Sequence, residues 1–311
     1  MDRIENSKDI ECMKIKRIAY ESYLKMINDI SPTGKLNYLF HGYIFRGESS
    51  TAYSLLPSSI RINALAKFKN CDVDNKDIYT RQAYEAELLK KFYEISNSNG
   101  LALPQNNIFE RSMLDNYKDL YSLRPDDYFF DESKNIAALA QHYGLPTRLL
   151  DWSFSFYIAL YFAVIGIFDR WLEKSQLDDD YIRVWCYKTI YSYKNDIQLV
   201  VPQYHVNPNL KAQKGVLMKW PCTKKDINNK LQPITLEEYI ISQKGDSDHN
   251  AENVLVEIKI KANICHLIYV YLHEIGVSTS SLFPGYEGTI KQLKYDIILE
   301  SIVDYVQKKE S

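Results

Sequence analysis

The run from Phe154 to Phe168 carries no charged side chain, and it constrains the fold more than any other feature of the chain. At 15 residues it is shorter than the roughly 20 apolar residues of a membrane span. It reads instead as a buried helix, with Asp169-Arg170 marking its return to solvent. A helix apolar on all sides must be enclosed by other elements, and a chain of 311 residues can bury a core of that size.

Hydrophobic spacing supplies the enclosing elements. Ile15, Ile18, Ala19, Tyr23, Met26, Ile27 and Ile30 recur at helical intervals, and Ser31-Pro32 with Gly34 would end that helix. The apolar stretch from Leu39 to Phe45 predicts a strand that runs out into Arg46-Gly47. Lys69 to Asp77 reads as a polar loop, after which Thr80 is placed to cap a helix bearing Tyr84, Leu88, Phe92 and Ile95. Asn135 to Tyr143 predicts another helix, with Gly144 suited to a left-handed cap and Pro146 barring continuation. A short extended piece, Thr147 to Trp152, then leads into the buried helix.

The second half is richer in strands. Ile182, Val184 and Cys186 alternate with Arg183, Trp185 and Tyr187, the period of a half-buried strand. Val216 to Trp220 is a second candidate, and the alternation from Val254 to Lys261 is the clearest, after a polar loop at Gly245 to Asn250. Ala262 to Ile275 and Ile290 to Val306 read as helices. With no repeat and no long linker, the economical division is a helical extension over residues 1–35 and one α+β domain with a C-terminal helix over residues 36–311. The extension either docks a partner or covers the core.

Composition narrows the function classes. A net charge of −2 gives no global field toward nucleic acid, although a local basic groove stays open. The five cysteines, Cys12, Cys71, Cys186, Cys222 and Cys265, form no C-x-x-C pair, which argues against a disulfide framework or a zinc site. Met1 to Glu11 is polar and unlike a signal peptide, so a cytoplasmic protein with no membrane partner is expected. The 25 tyrosines fit a stacking or partner-binding face, but the bias of an AT-rich genome accounts for them more simply. Phosphate-loop, nucleophile-elbow, zinc-protease and dinucleotide glycine motifs are missing.

What remains is polar groups placed at the ends of elements. Arg46 after an apolar strand would be rigidly aimed, with donors suited to a phosphate or carboxylate, and Gly47 would let a ligand approach the backbone. The competing reading pairs Arg46 with an internal carboxylate such as Glu85 or Glu87. Gln141, His142, Thr147, Arg148, Asp151 and Ser153 sit inside otherwise apolar sequence and must bond to each other, to backbone or to a ligand. A structural account would pair Arg148 with Asp151, set His142 against its helix C-terminus, and use Asp151 or Ser153 as a cap. His41, His266 and His273 read as packing or edge residues.

These residues carry a resemblance. Phe45-Arg46-Gly47, with Leu56-Pro57 and Arg61, resembles the opening of the bacterial FRG domain, named for that tripeptide. Ala140 to Ser153, continuing through Ala159-Leu160-Tyr161-Phe162-Ala163, resembles that family's central block. Gln213-Lys214-Gly215-Val216-Leu217 and Ser281-Leu282-Phe283-Pro284-Gly285 resemble its later motifs, so the resemblance runs from about Leu39 to Leu293. The family resembles genes found in mobile elements and phage defence, and has no settled activity.

A weaker similarity is to arginine-type ADP-ribosyltransferases, whose fold is a split, mostly antiparallel sheet with flanking helices. That similarity implies NAD⁺ as substrate, with Arg46 on its phosphate and Trp152-Ser153-Phe154-Ser155 shaping the nicotinamide pocket. Gln213-Lys214-Gly215 falls where the family has E-x-E, so Gly215 occupies the place of the catalytic glutamate. Asp151 or Glu287 would then supply the carboxylate, and His142 with Gln141 would orient the ribose or an acceptor.

The expected function is therefore an NAD⁺-using transferase or glycohydrolase effector in phage defence or toxicity. Its partners would be a nucleotide ligand and a macromolecular acceptor, protein or nucleic acid. The alternative is a non-catalytic sensor that binds a nucleotide, a nucleic-acid end or a phage protein. A nuclease using Asp151 and Mg²⁺ lacks the paired-carboxylate spacing.

Overall fold

A computed structural model of the chain describes residues 14–61, 64–68, 78–105, 109–110, 127–174, 181–194, 196–225, 231–243 and 252–310. Cys12, Cys71, the opening to Glu11, and the loops expected at 69–77 and 245–250 lie outside the described residues.

The framework is a seven-stranded sheet. Its strands in chain order are β1 (Ile15–Tyr20), β2 (Tyr43–Glu48), β3 (Leu150–Ser153), β4 (Tyr181–Lys188), β5 (Gln198–Val200), β6 (Gly215–Lys219) and β7 (Leu255–Lys261). Spatially they run β1, β7, β4, β2, β3, β6, β5, with only the β1–β7 pair parallel. The helices are α1 (Tyr23–Ile30), α2 (Ile78–Ser98), α3 (Asp127–His142), α4 (Phe156–Lys174), α5 (Pro208–Ala212), α6 (Leu236–Ser242), α7 (Cys265–Glu274), α8 (Thr279–Leu282) and α9 (Tyr286–Glu310). The mixed helix-and-sheet class expected from the sequence is the one observed.

The uncharged run forms most of α4. Ala159, Leu160, Tyr161, Ala163, Val164 and Phe168 are all at most 1% exposed, as an all-round apolar helix requires. One face of the sheet, with Phe45, Val184, Cys186, Val256 and Ile258, packs on α4, and α1, α7 and α9 complete that core. The opposite face, with Ile44, Trp152, Trp185, Tyr187 and Val216, packs on α6. Strands β4 and β7 are covered on both faces, so their alternating sequence reports which core each side chain enters and not exposure.

Three expectations change. The helix expected from Ile15 is strand β1 as far as Tyr20, because pairing with β7 along Ile15–Leu255 to Tyr20–Ile260 outweighs local periodicity. Only Tyr23–Ile30 is helical, capped by the Ser22 hydroxyl at its start and ended at Ser31. The strand expected from Leu39 begins at Tyr43, after a 3-10 turn over Asn37–Phe40 and Gly42 at φ +78°. Arg46-Gly47 therefore lies within β2 and not beyond it. Thr80 falls inside α2, which starts at Ile78.

The sheet divides in its middle. Strand β2 is paired with β4 along all six residues, and β3 with β6 along all four. Between β2 and β3 only Phe45 and Ser153 are partners. The two halves part beyond that point, beside Arg46 and Asp151.

Candidate functional site

Helix α3 ends in the cap its sequence predicts. Gly144 has φ +93°, its N–H donates to the Gln141 carbonyl at 2.9 Å, and the Leu145 N–H donates to the Ala140 carbonyl at 3.0 Å. This paired closure stops the helix with Gln141 and His142 in its last turn and turns the chain into β3. In β3, Leu150, Trp152 and Ser153 are buried while Asp151 is exposed. Arg46 arrives from β2, and its Nη1 donates to the Asp151 carbonyl oxygen at 2.8 Å. Two stretches distant in sequence thus converge at the division of the sheet.

A cavity of about 980 Å³ opens there, and Arg46, Gln141, His142, Asp151, Ser153 and Gln213 are among its lining residues. A smaller one of about 400 Å³ adjoins it and shares Arg46, Arg61, Gln141 and Asp151. Gln141 Nε2 donates to Asp151 Oδ1 at 2.6 Å, and the Thr147 hydroxyl donates to Gln141 Oε1. That relay fixes one carboxylate oxygen of Asp151. Among the described residues its second oxygen accepts no side-chain or backbone hydrogen bond.

Arg46 also has a carboxylate beside it, two residues along β2. Its Nε donates to Glu48 Oε1 at 3.3 Å, so the internal ion pair weighed against a ligand role exists, with Glu48 in place of Glu85 or Glu87. Glu48 has better partners of its own: Oε2 accepts from Arg183 Nε at 2.8 Å and from Trp185 Nε1 at 3.2 Å. Arg46 is therefore steadied by Glu48 without being required by it.

Arg61 is the residue that sequence reasoning did not place in the site, although it is one of the downstream residues that carry the FRG resemblance. It follows the short turn Ser58–Ile60, donates from Nε to the Leu56 carbonyl at 3.1 Å, and lines both cavities. Burial first, and the Arg46 guanidinium second, push its pKa below the usual value. The carboxylates of Glu48 and Asp151 pull it the other way, so the two like charges are partly balanced by the protein itself.

The other expected residues divide into lining and support. His142 lines the larger cavity, its Nε2 lies 3.3 Å from Asn209 Nδ2, and burial lowers its pKa against the opposing pull of Asp151. Ser153 lines the cavity, but its hydroxyl donates to the Gln213 carbonyl at 2.8 Å and accepts from the Ser155 N–H at 3.0 Å. Gln213 reaches the Leu282 carbonyl at 3.3 Å. Gly47 lines the larger cavity and also serves packing, since a Cβ there would overlap the Ala159 carbonyl oxygen of α4. Gly215 faces Ser153 across the β3–β6 ladder and has no side chain to offer.

Thr147 and Arg148 are behind the wall. Thr147 is fully buried and exchanges hydrogen bonds with Ser58, which accepts its N–H at 3.0 Å and donates to its carbonyl at 3.2 Å. Arg148 pairs with Glu85 and not with Asp151: its backbone N–H reaches Glu85 Oε1 at 2.9 Å, and its Nε lies 3.3 Å from both oxygens. Glu287, exposed in the first turn of α9, is absent from the lining of either cavity, as are Thr147, Arg148 and Ser155. Among the described residues no cluster of three or more His, Cys, Asp or Glu could hold a metal ion, and no helix is long and apolar enough to cross a membrane.

No curated protein and no solved structure matches the chain. The model of the FRG domain matches residues 41–169, which takes in β2 with Arg46, the Arg61 turn, the α3–β3 block and most of α4. The Gln213–Leu217 and Ser281–Gly285 segments lie beyond that match. Arg46, Arg61, Gln141 and Asp151 thus all lie within residues 41–169, the part of the chain that carries the FRG domain.

Proposed function

We propose that the chain is an NAD⁺-using enzyme of the ADP-ribosyltransferase or NAD glycohydrolase type. The dinucleotide occupies the larger cavity with its phosphates between Arg46 and Arg61. The observation that carries this reading is the meeting of two guanidiniums, Arg46 and Arg61, with the carboxylates of Glu48 and Asp151 on a single cavity large enough for a nucleotide; among the described residues, Asp151 keeps one oxygen without a hydrogen bond. Guanidinium forks suit phosphate oxygens, and relief of the Arg46–Arg61 repulsion adds to the affinity for an anion.

Loss of nicotinamide from NAD⁺ leaves positive charge on the ribose. Asp151, oriented by Gln141, is the carboxylate available to stabilise that charge, and a preoriented charge acts without reorganisation. Neutral His142 is placed to accept or donate a hydrogen bond to a ribose hydroxyl. Ser153 and Gln213 shape the wall through bonds they already make. In this reading Asp151 takes over the task that the glutamate performs elsewhere, since Gly215 cannot. An enzyme of this kind would act as a defence or toxicity effector by consuming NAD⁺ or by modifying a macromolecule.

The test is release of free nicotinamide from NAD⁺, with and without cell lysate to supply an acceptor. Wild type is expected to release it, and Asp151→Asn and Arg46→Ala to lose that activity. No release by wild type under either condition removes the enzyme reading. The second reading, a nucleotide-binding sensor, is favoured by Gly215 and by the Glu48 already beside Arg46. It requires binding of ADP-ribose that Arg46→Ala abolishes, with no product formed.

A further inference from the structure

The smaller cavity differs in chemistry from the larger one it adjoins. Arg46, Arg61 and Lys67 bring three cations to it against the single carboxylate of Asp151. Its lining includes Phe68, a residue 48% exposed. Lys67 and Phe68 are held on a 3-10 turn, Ala66–Phe68, where the Phe68 N–H donates to the Leu65 carbonyl at 3.0 Å. Leu65 is fully buried and packs with Tyr84, Leu88 and Leu145, so the turn that presents the ring is anchored in the core.

We infer that the smaller cavity is a second ligand site, for a phosphate carried on a nucleobase-bearing molecule: the phosphate on Lys67 and on the Arg61 donors left over by a ligand in the larger cavity, the base on Phe68. Base stacking on an exposed aromatic beside a basic groove is a recurrent mode of nucleic-acid binding. A cationic ligand, such as an arginine or lysine side chain of a protein, would bring one more positive charge into a space that already holds three. Because Asp151 and Arg46 border both cavities, a ligand here lies against the reacting end of a nucleotide in the larger one. Its role as the acceptor of a transferred group rests on the NAD⁺ reading; its binding does not. The phosphate could belong to a free mononucleotide or to the end of a nucleic-acid strand.

Equilibrium binding to the full chain tests this, using adenosine 5′-monophosphate, a 5′-phosphorylated tetranucleotide, adenosine and an arginine-rich peptide, each with and without saturating ADP-ribose. The two phosphate-bearing probes are expected to bind in the presence of ADP-ribose, and adenosine at least about ten-fold more weakly. Phe68→Ala and Lys67→Glu should each weaken them by roughly ten-fold, the scale of one stacked base or one phosphate contact. A tighter tetranucleotide identifies a strand end as the source, and a tighter mononucleotide identifies the free nucleotide. The inference is overturned if neither phosphate probe binds, if ADP-ribose displaces them, if both variants bind as wild type does, or if the peptide binds more tightly. Nicotinamide release is read in parallel. Release without Phe68-dependent binding sinks this inference alone, and such binding without release sinks the NAD⁺ reading alone.

Discussion

Replacing Arg46 by alanine separates a ligand clamp from a structural ion pair, and the two roles predict different magnitudes. The side chain is 15% exposed and makes two bonds, at 3.3 Å to Glu48 and at 2.8 Å to the Asp151 carbonyl. A hydrogen bond involving a charged group contributes about 1.5–3 kcal/mol, and a long one less. Glu48 is not orphaned by the substitution, because Arg183 at 2.8 Å and Trp185 at 3.2 Å remain on its other oxygen. Removing the repulsion with Arg61 offsets part of the loss. The net cost is about 1–2 kcal/mol, below the roughly 3–5 kcal/mol of a buried charge left alone. At roughly 2–4 °C per kcal/mol for a chain of this size, the melting temperature should fall by roughly 2–8 °C. The effect on a ligand is larger. A guanidinium fork on a phosphate makes two charged bonds, so its loss should weaken ADP-ribose binding by at least about 100-fold. Thermal melting and calorimetric titration with ADP-ribose on the same preparation measure both quantities. A melting temperature more than about 10 °C lower makes Arg46 a structural residue, and unchanged ADP-ribose affinity refutes the clamp.

Three other substitutions or titrations probe the supporting structure. Arg148→Met should destabilise by about 3–5 kcal/mol, since among the described residues Glu85, 3% exposed, keeps only the backbone N–H of residue 148; a urea midpoint unchanged from wild type would show the pair to be dispensable. Gly47→Ala should cost about 1–3 kcal/mol or more, because the added methyl meets the α4 backbone and no flexible side chain can yield; unaltered melting would contradict that packing. His142 should titrate below its unperturbed value near 6.5. The unfolded chain then binds its proton first as pH falls, so stability is lost from about pH 6.5 downward and unaffected above it. An imidazole pKa above 6.5, read by NMR, would refute the assignment.

How far the fold was legible depended on whether an element's partner was near it in sequence. The charge-free run announced α4 because no other environment accepts it, and Gly144 with Pro146 fixed the end of α3 through local backbone chemistry. Strand β1 has the look of a helix in sequence because Ile15, Ile18 and Ala19 satisfy a helical period. Their true partner, β7, lies near the other end of the chain, and no local signal reports it. The start of β2 was placed early for a related reason. Leu39 is buried as a strand residue would be, but it reaches the core from a 3-10 turn and not from an extended chain.

In the site, density of polar groups among apolar ones located the right segment without sorting its members. Thr147 and Arg148 find their partners in Ser58 and Glu85, from elements whose approach to this segment the sequence does not disclose. Ahead of β3 the chain has no period, so nothing local says that both side chains turn inward. Within β3 the strand period does speak: Leu150 and Trp152 are buried on one side, and Asp151 between them must project from the other. The same parity applies along β2, where Phe45 and Gly47 pack on α4 while Arg46 and Glu48 face away from it. Alternation therefore sets Arg46 apart from Phe45 and Gly47, and Asp151 apart from Leu150 and Trp152, but does not tell Arg46 from the buried Glu48 or Asp151 from the buried Ser153. Arg61 escapes this logic because it follows a 3-10 turn, and its place opposite Arg46 is fixed only once Ser58 and Ser59 bond to Thr147. The buried Thr147 thus acts at a distance on the site: it sets the Gln141–Asp151 relay on one side and the Arg61 turn on the other.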